Sequence, residues 1–396
     1  MQTPLTIGQF NDGYLPVTDG VVTVVRNYAY WLNEKYGKCV VYAPNAKHYQ
    51  NEESFDVQPY LSMPIPGRKP YRLGFPVFDA SYRRQVDSMQ FDLVHSHSPF
   101  SAGSEALRLA KTQHIPLVGT FHSKCYDDFV QYFHSDHIAR AGVNLVIKFF
   151  QKCDSVWTVS DATVETLREY GYQGPITVIN NGTDLAAPET QAEIDDAKQQ
   201  AEALCSLRPD QPLFVFVGQH IWQKNVRLIL EAAEQLRYIE SDFRLVFVGT
   251  GYAQHDMQAF IDEHAGMAQQ VSLLGTIQNR TLLSYLYLRA SAFVFPSVYD
   301  NAPLVVREAS AMGAPSILIQ GSTAAQGVED KVNGFLCQNS VESLRDTMLY
   351  CLQHPQQAQE IGKKAQKTLA KSWSMIVDQV YEEYLRIIEN YKAKNQ

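Results

Sequence analysis

Two carboxylates, Asp300 and Glu308, are separated by seven residues in a stretch running from Phe293 to Pro315. Apolar residues open it, and Ser297, Asp300 and Asn301 follow as turn and cap formers. Pro303 then suits a first helical turn, Gly313 a helix stop, and Pro315 the start of another strand. The spacing predicts strand, polar turn and helix. Such a helix start presents unpaired N–H groups and the positive end of a dipole, a place for a phosphate or for sugar hydroxyls. Asp300 would sit at the mouth, and Glu308 about two turns down the same side. The plain alternative makes Asp300 a cap and Glu308 a solvated helix residue. Three histidines also end predicted strands, His95 and His97 in one and His122 in the next. They could be metal ligands, but no third ligand lies near His95 and His97, so polar roles on a cleft floor are favoured.

The elements that must hold these residues alternate along the chain. Strands are predicted at 5–10, 39–44, 91–95, 115–121, 154–160 and 176–179, with an amphipathic helix at 21–34 and a long one at 126–150. Residues 45–90 read as irregular and aromatic. A polar, acidic linker over 185–211 holds one helix, 189–207. A second block has strands at 213–218, 243–251, 271–277, 293–296 and 316–320, and helices at 226–238, 282–290, 341–354, 355–371 and 374–391. Two blocks of alternating strands and helices predict an α/β protein with two doubly wound, Rossmann-like parallel sheets. The boundaries are 1–185, with a last helix at 374–396 packing back on it, and 186–373. Ligands of such sheets bind beyond the strand C-termini, and two facing domains would share one central cleft. Gly249-Thr250-Gly251 invites a dinucleotide reading, but the third glycine and the distant acidic residue are missing.

In order, these motifs resemble those of the retaining glycosyltransferases of family 4, which have the GT-B fold. Pro296-Ser297, Asp300, Pro303-Leu304-Val305 and Glu308-Ala309 follow the family's two-carboxylate pattern, with Asp300 one methylene shorter than its first Glu. The resemblance implies that Lys224 binds the donor diphosphate, with Gln219 standing where the family has Arg; His220 is a candidate replacement cation. It implies that Thr276 and Ile277 clasp the base, Glu308 the ribose, and Asp300, Asn301, Ala302, Pro303 and Leu304 the diphosphate and sugar. Gly20, in Asp12-Gly13-Tyr14-Leu15-Pro16 and Asp19-Gly20-Val21, would border the donor. His122, Lys224 and Asp300 are the implied catalytic residues. Tyr14, Asp19, Arg68, Arg72, His97 and His122 are the implied acceptor-side residues. The family's Asp after the His122-Ser123 pair is Lys124 here. The implied co-substrate is a nucleotide sugar, UDP-glucose, with no cofactor and no metal; no Asp-x-Asp occurs in the sequence. The chain looks most like bacterial members that glucosylate diacylglycerol. That implies a lipid acceptor and an anionic membrane surface met by Arg68, Lys69 and Arg72. The alternatives are a soluble sugar acceptor, or a nucleotide-sugar-binding relative with weak catalysis.

Composition agrees with this class. The net charge of −8 argues against nucleic acid as partner. Six cysteines without a C-x-x-C pair fit a reducing cytoplasm and neither a zinc site nor a disulfide framework. No signal peptide and no apolar run of about 18 residues is read, so the expected place is the cytoplasm, with peripheral contact to the inner face of the membrane.

Overall fold

The computed structural model describes residues 4–17, 19–46, 49–66, 70–122 and 125–395. The chain divides into two compact units, Met1–Asn181 with Trp373–Gln396, and Gly182–Ser372.

The first unit is built on seven parallel strands: β1 (Leu5–Phe10), β2 (Gly37–Pro44), β3 (Val57–Tyr60), β6 (Leu93–Ser96), β7 (Leu117–Phe121), β8 (Ser155–Thr158) and β9 (Thr177–Val178). Their order is β3-β2-β1-β6-β7-β8-β9. A separate antiparallel pair, β4 (Ser62–Pro64) and β5 (Arg72–Gly74), completes the set. Cys39 to Ala43 are buried without alternation, as expected for a strand covered on both faces. The helix Gly20–Lys35 is capped by Asp19, whose carboxylate accepts from the Val22 N–H at 2.9 Å. The C-terminal helix Trp373–Asn395 buries Trp373, Ile376, Val377, Val380, Tyr381, Tyr384, Ile387 and Ile388 on one stripe. Burial of each contributes roughly 1.5–3 kcal/mol, far more than helix propensity does. Tyr381 stacks on Tyr36 at 3.9 Å between ring centres, and the Tyr36 hydroxyl donates to Asp378 at 2.5 Å.

The second unit has six parallel strands: β10 (Leu213–Val217), β11 (Arg244–Val248), β12 (Val271–Gly275), β13 (Ala292–Val294), β14 (Ser316–Ile319) and β15 (Phe335–Cys337). Their order is β12-β11-β10-β13-β14-β15. Every residue of β10 is buried. In both sheets the order reverses beside the first strand of the unit, between β1 and β6 and between β10 and β13. Such a reversal leaves a crevice at the strand C-termini.

Three expectations need correction. Residues 45–90 are not irregular: they hold β3, the β4–β5 pair and a helix, Ala80–Ser88, capped by Asp79. These strands are three or four residues long, too short for a periodic signal. The predicted helix 126–150 is two helices, Cys125–Phe133 and Asp136–Phe150. His134 adopts a left-handed φ of 51°, and the second helix packs against the first. Gly142 permits this, since a Cβ there would lie 2.6 Å from the Phe129 ring. Lastly, Pro303 is the N-cap of the helix Leu304–Ala311, with ψ of 121°, and not a residue of its first turn.

Candidate functional site

Each switch point carries polar residues. In the first unit Asn11 and Asp12 follow β1, and His97 and Ser98 follow β6. They open onto a cavity of about 420 Å³. Its polar part includes Asp12, Asp19, Arg72, His97, His122 and Asp128; its walls include Leu73, Phe100, Phe121, Phe129, Phe133 and Phe150. One Asp12 oxygen accepts from the Ser101 hydroxyl and from the Ala102 N–H at 2.9 Å, which caps the helix Ser101–Gln113. Burial raises the Asp12 pKa, offset in part by these donors.

The sequence-implied acceptor residues fare differently here. His97, His122, Asp19 and Arg72 line the cavity together. His97 Nδ1 and His122 Nε2 share a hydrogen bond of 3.0 Å. Burial lowers the pKa of His97 well below the usual value and that of His122 to about 3, so both rings are neutral near pH 7. Asp19 is first a helix cap, and its other oxygen accepts from the Tyr71 hydroxyl at 3.2 Å. The Arg72 guanidinium donates to the Ser62 hydroxyl and carbonyl at 2.8 and 3.1 Å, so it fastens the β4–β5 pair. Tyr14 is buried edge-on against Tyr49. Arg68, Lys69, Ser123 and Lys124 lie outside the described residues. His95 and His97 are not arranged as metal ligands: their ring nitrogens bond Tyr384, Thr120, Gln9 and His122.

In the second unit Gln219 and Lys224 follow β10, Thr276 and Ile277 follow β12, and Asp300 to Leu304 follow β13. Lys224 Nζ donates to both Asp300 oxygens at 2.7 and 2.9 Å, and the two side chains are only 12% and 19% exposed. Ser297 donates to Asp300 at 2.6 Å, and the Thr323 hydroxyl donates to its carbonyl. Asn225 donates to the Pro296 carbonyl at 2.8 Å, tying the loop after β10 to the end of β13. Glu308 is 6% exposed. It accepts from Arg280 at 2.8 Å and from the buried Tyr287 hydroxyl at 3.1 Å, while Arg280 also reaches Asp184 at 2.5 Å. Burial and the Glu308 charge hold the Tyr287 hydroxyl protonated. Gly20, in the first unit, opens its helix with space around it: a Cβ there would meet nothing within 4 Å.

His220 cannot be the replacement cation considered from the sequence. It is fully buried between Phe216 and Phe247, and burial lowers its pKa. Gln219 is exposed and uncharged. The glycines at 249 and 251 serve packing: a Cβ on either would lie 2.0 or 2.2 Å from the carbonyls of Gly218 or His220. Asp12, Arg280 and Tyr287 were not singled out by sequence. Asp12 lies inside the quoted Asp12-Gly13-Tyr14 loop, so a signal was present. Arg280 and Tyr287 meet Glu308 across 28 and 21 residues, with no local pattern to mark them.

These two sets of residues can be compared with known proteins. An alpha-monoglucosyldiacylglycerol synthase of Acholeplasma laidlawii is 26% identical over 372 residues, 91% of this chain and 92% of that protein. Its namesake from Streptococcus pneumoniae is 24% identical over 335 residues, 84% of this chain and 75% of that one. Among solved structures, sucrose-phosphate synthase of Thermosynechococcus elongatus superposes with a TM-score of 0.78 at 17% identity, covering 98% of this chain and 100% of that one. Anabaena HepE, solved with UDP and glucose, gives 0.72 at 16% identity, covering 96% and 99%. The fold is GT-B. Residues 18–187 match the model of Glycosyltransferase Family 4, and residues 200–368 match that of the Glycosyl transferases group 1. With one model containing His97 and His122 and the other the Lys224–Asp300 and Glu308 clusters, the chain belongs to the retaining, group 1 glycosyltransferases of family 4.

Proposed function

We propose that this protein transfers glucose from UDP-glucose to the hydroxyl of diacylglycerol at a membrane surface, with retention at the anomeric carbon. The observation that carries the acceptor class is the cavity beside His97 and His122. A polar end next to phenylalanine walls suits a hydroxyl carried on acyl chains better than a fully hydrated sugar. The names of the relatives from Acholeplasma and Streptococcus support it, as does the HepE structure for the donor.

In this reading the C1–O bond to the β-phosphate breaks and UDP leaves. The acceptor oxygen bonds C1 on the same face, and its proton passes to the departing phosphate. Lys224 exchanges Asp300 for the diphosphate, which releases Asp300 toward the sugar. The N–H groups at Leu304 add their dipole, and charge stabilisation supplies most of the acceleration. Glu308, aligned by Arg280 and Tyr287, accepts from the ribose hydroxyls, and Thr276 and Ile277 hold the base. The mutual neutralisation of Lys224 and Asp300, with Gln219 uncharged, favours slow transfer as the second reading.

No helix among the described residues is long and apolar enough to cross a membrane. The proposed location, the inner membrane face reached peripherally, rests on the lipid acceptor of this reading. Incubation with UDP-glucose and diacylglycerol in anionic vesicles should release UDP and yield solvent-extractable glucose in equal amounts. UDP release that depends on a soluble sugar, with no extractable glucose, would overturn the lipid reading.

A further inference from the structure

Six side chains of the first unit form one unbroken hydrogen-bonded chain, and both of its ends line the cavity. His122 Nε2 meets His97 Nδ1 at 3.0 Å, and His97 Nε2 meets Gln9 Oε1 at 2.6 Å. Gln9 Nε2 donates to the Tyr384 hydroxyl at 3.0 Å. That hydroxyl meets His95 Nδ1 at 2.6 Å, and His95 Nε2 meets Thr120 Oγ1 at 2.7 Å. Gln9, His95 and Tyr384 are wholly buried, and His97 nearly so. The Tyr384 ring stacks on Trp157 at 5.4 Å, which fixes where its hydroxyl points.

A run of neutral donors and acceptors like this one admits two directions, and the amide of Gln9 decides between them. With Oε1 on His97, His97 must donate from Nε2 and accept at Nδ1. His122 must then carry its proton on Nε2. With Nε2 of Gln9 on Tyr384, the hydroxyl must donate to His95 Nδ1, so His95 donates to Thr120. Turning the amide over would reverse all five bonds and move the His122 proton to Nδ1.

We propose that Gln9 and Tyr384 are positioning residues for His122: they hold His97 and His122 as Nε2–H tautomers, so that the C-terminal helix decides which nitrogen of a cavity-lining imidazole carries the proton. Its bearing on transfer rests on the acceptor-side reading of the cavity; the tautomer assignment does not. Burial keeps all three rings neutral, so the choice is between tautomers and not between charges.

The test is a two-bond proton–nitrogen correlation spectrum of the full chain labelled with nitrogen-15 histidine, at pH 7. His97 and His122 should appear as neutral Nε2–H rings; an Nδ1–H or doubly protonated His122 would overturn the proposal. Gln9→Glu replaces the amide with two acceptors. Tyr384 must then donate to it, and His95 should switch to Nδ1–H while His97 and His122 keep Nε2–H; an unswitched His95 would count against the chain. Should Gln9→Glu fail to fold, Tyr384→Phe keeps the ring and removes only the hydroxyl. It should give His122 a mixture of tautomers. With it kcat should fall in proportion to the fraction of His122 that leaves the Nε2–H form, about twofold for an even mixture, while KM for the donor changes much less. A single unchanged His122 tautomer in Tyr384→Phe, or mixed tautomers with unchanged kcat, would refute the positioning role. A wild-type protein that shows the expected tautomers but transfers nothing to lipid would refute only the acceptor reading.

Discussion

Replacing Glu308 by Ala should destabilise the second unit as well as weaken donor binding. A solvated helix residue would tolerate the change, but this carboxylate is buried and accepts from Tyr287 and Arg280. Arg280 keeps Asp184 and is 44% exposed, so water replaces its lost partner. The Tyr287 hydroxyl is fully buried and has no such recourse. An unsatisfied buried hydroxyl costs about 1–3 kcal/mol. Taking about 2 kcal/mol, a unit of this size should lose about 4–8 °C in Tm. Donor affinity should fall as well, about 10- to 100-fold, if the carboxylate holds the ribose through a charged hydrogen bond. The two effects separate in the double variant Glu308→Ala, Tyr287→Phe. Removing the stranded hydroxyl should recover about 1 kcal/mol of stability and none of the affinity, a coupling visible in a double-mutant cycle. The assays are thermal or urea unfolding and calorimetric titration with UDP-glucose. Additive stability effects, or undiminished donor binding in Glu308→Ala, would refute the reasoning.

Gln219→Arg restores a cation where His220 cannot supply one; kcat should be equal or higher, and a large loss in steady-state assays would show that the neutral residue is needed. Lys224→Ala should cut kcat by a factor of about a hundred or more, and turnover within threefold of wild type would remove Lys224 from the mechanism. Vesicle co-sedimentation should show binding to anionic lipid that weakens with salt. Arg68→Ser with Lys69→Ser should reduce it, at about 1 kcal/mol per basic side chain; retention of all binding would place the contact elsewhere. Acid should weaken the first unit. His95, His97 and His122 have lowered pKa values, so the unfolded chain binds protons below about pH 6.5 that the folded one refuses, and stability is lost as pH falls. Three such groups make urea unfolding about 4 kcal/mol easier at pH 5.5 than at pH 7; equal stability at the two values would contradict burial of neutral rings.

Much of this was legible beforehand because it is local. Apolar runs such as Leu213–Val217 act within a few residues and placed most strands and helices, and the caps the structure shows at Asp19, Ser160 and Ser340 act over the same short range. The residues beyond the strand ends were readable for the same reason. What stayed hidden depends on distance or on space. Whether Lys224 faces a ligand or Asp300 is decided across 76 residues. Gln9 gains its meaning from Tyr384, 375 residues away. The break at His134 became inevitable only once Phe129 and Gly142 had to pack together. A histidine next to Gln219 looks like a cation until Phe216 and Phe247 close around it.

The second unit is inserted, in chain terms, before the last helix of the first. During synthesis, residues 1–181 therefore emerge without Trp373–Asn395, and their groove for that helix must wait. At about 5–20 residues per second, residues 182–372 take about 10–40 s to make. Through that interval Gln9 and His95 lack the Tyr384 hydroxyl, and Tyr36 lacks its stacking partner. The unit made second can finish folding first. A nascent chain stalled before Trp373 would present an open apolar groove to chaperones, and release of the final helix would be the event that closes it.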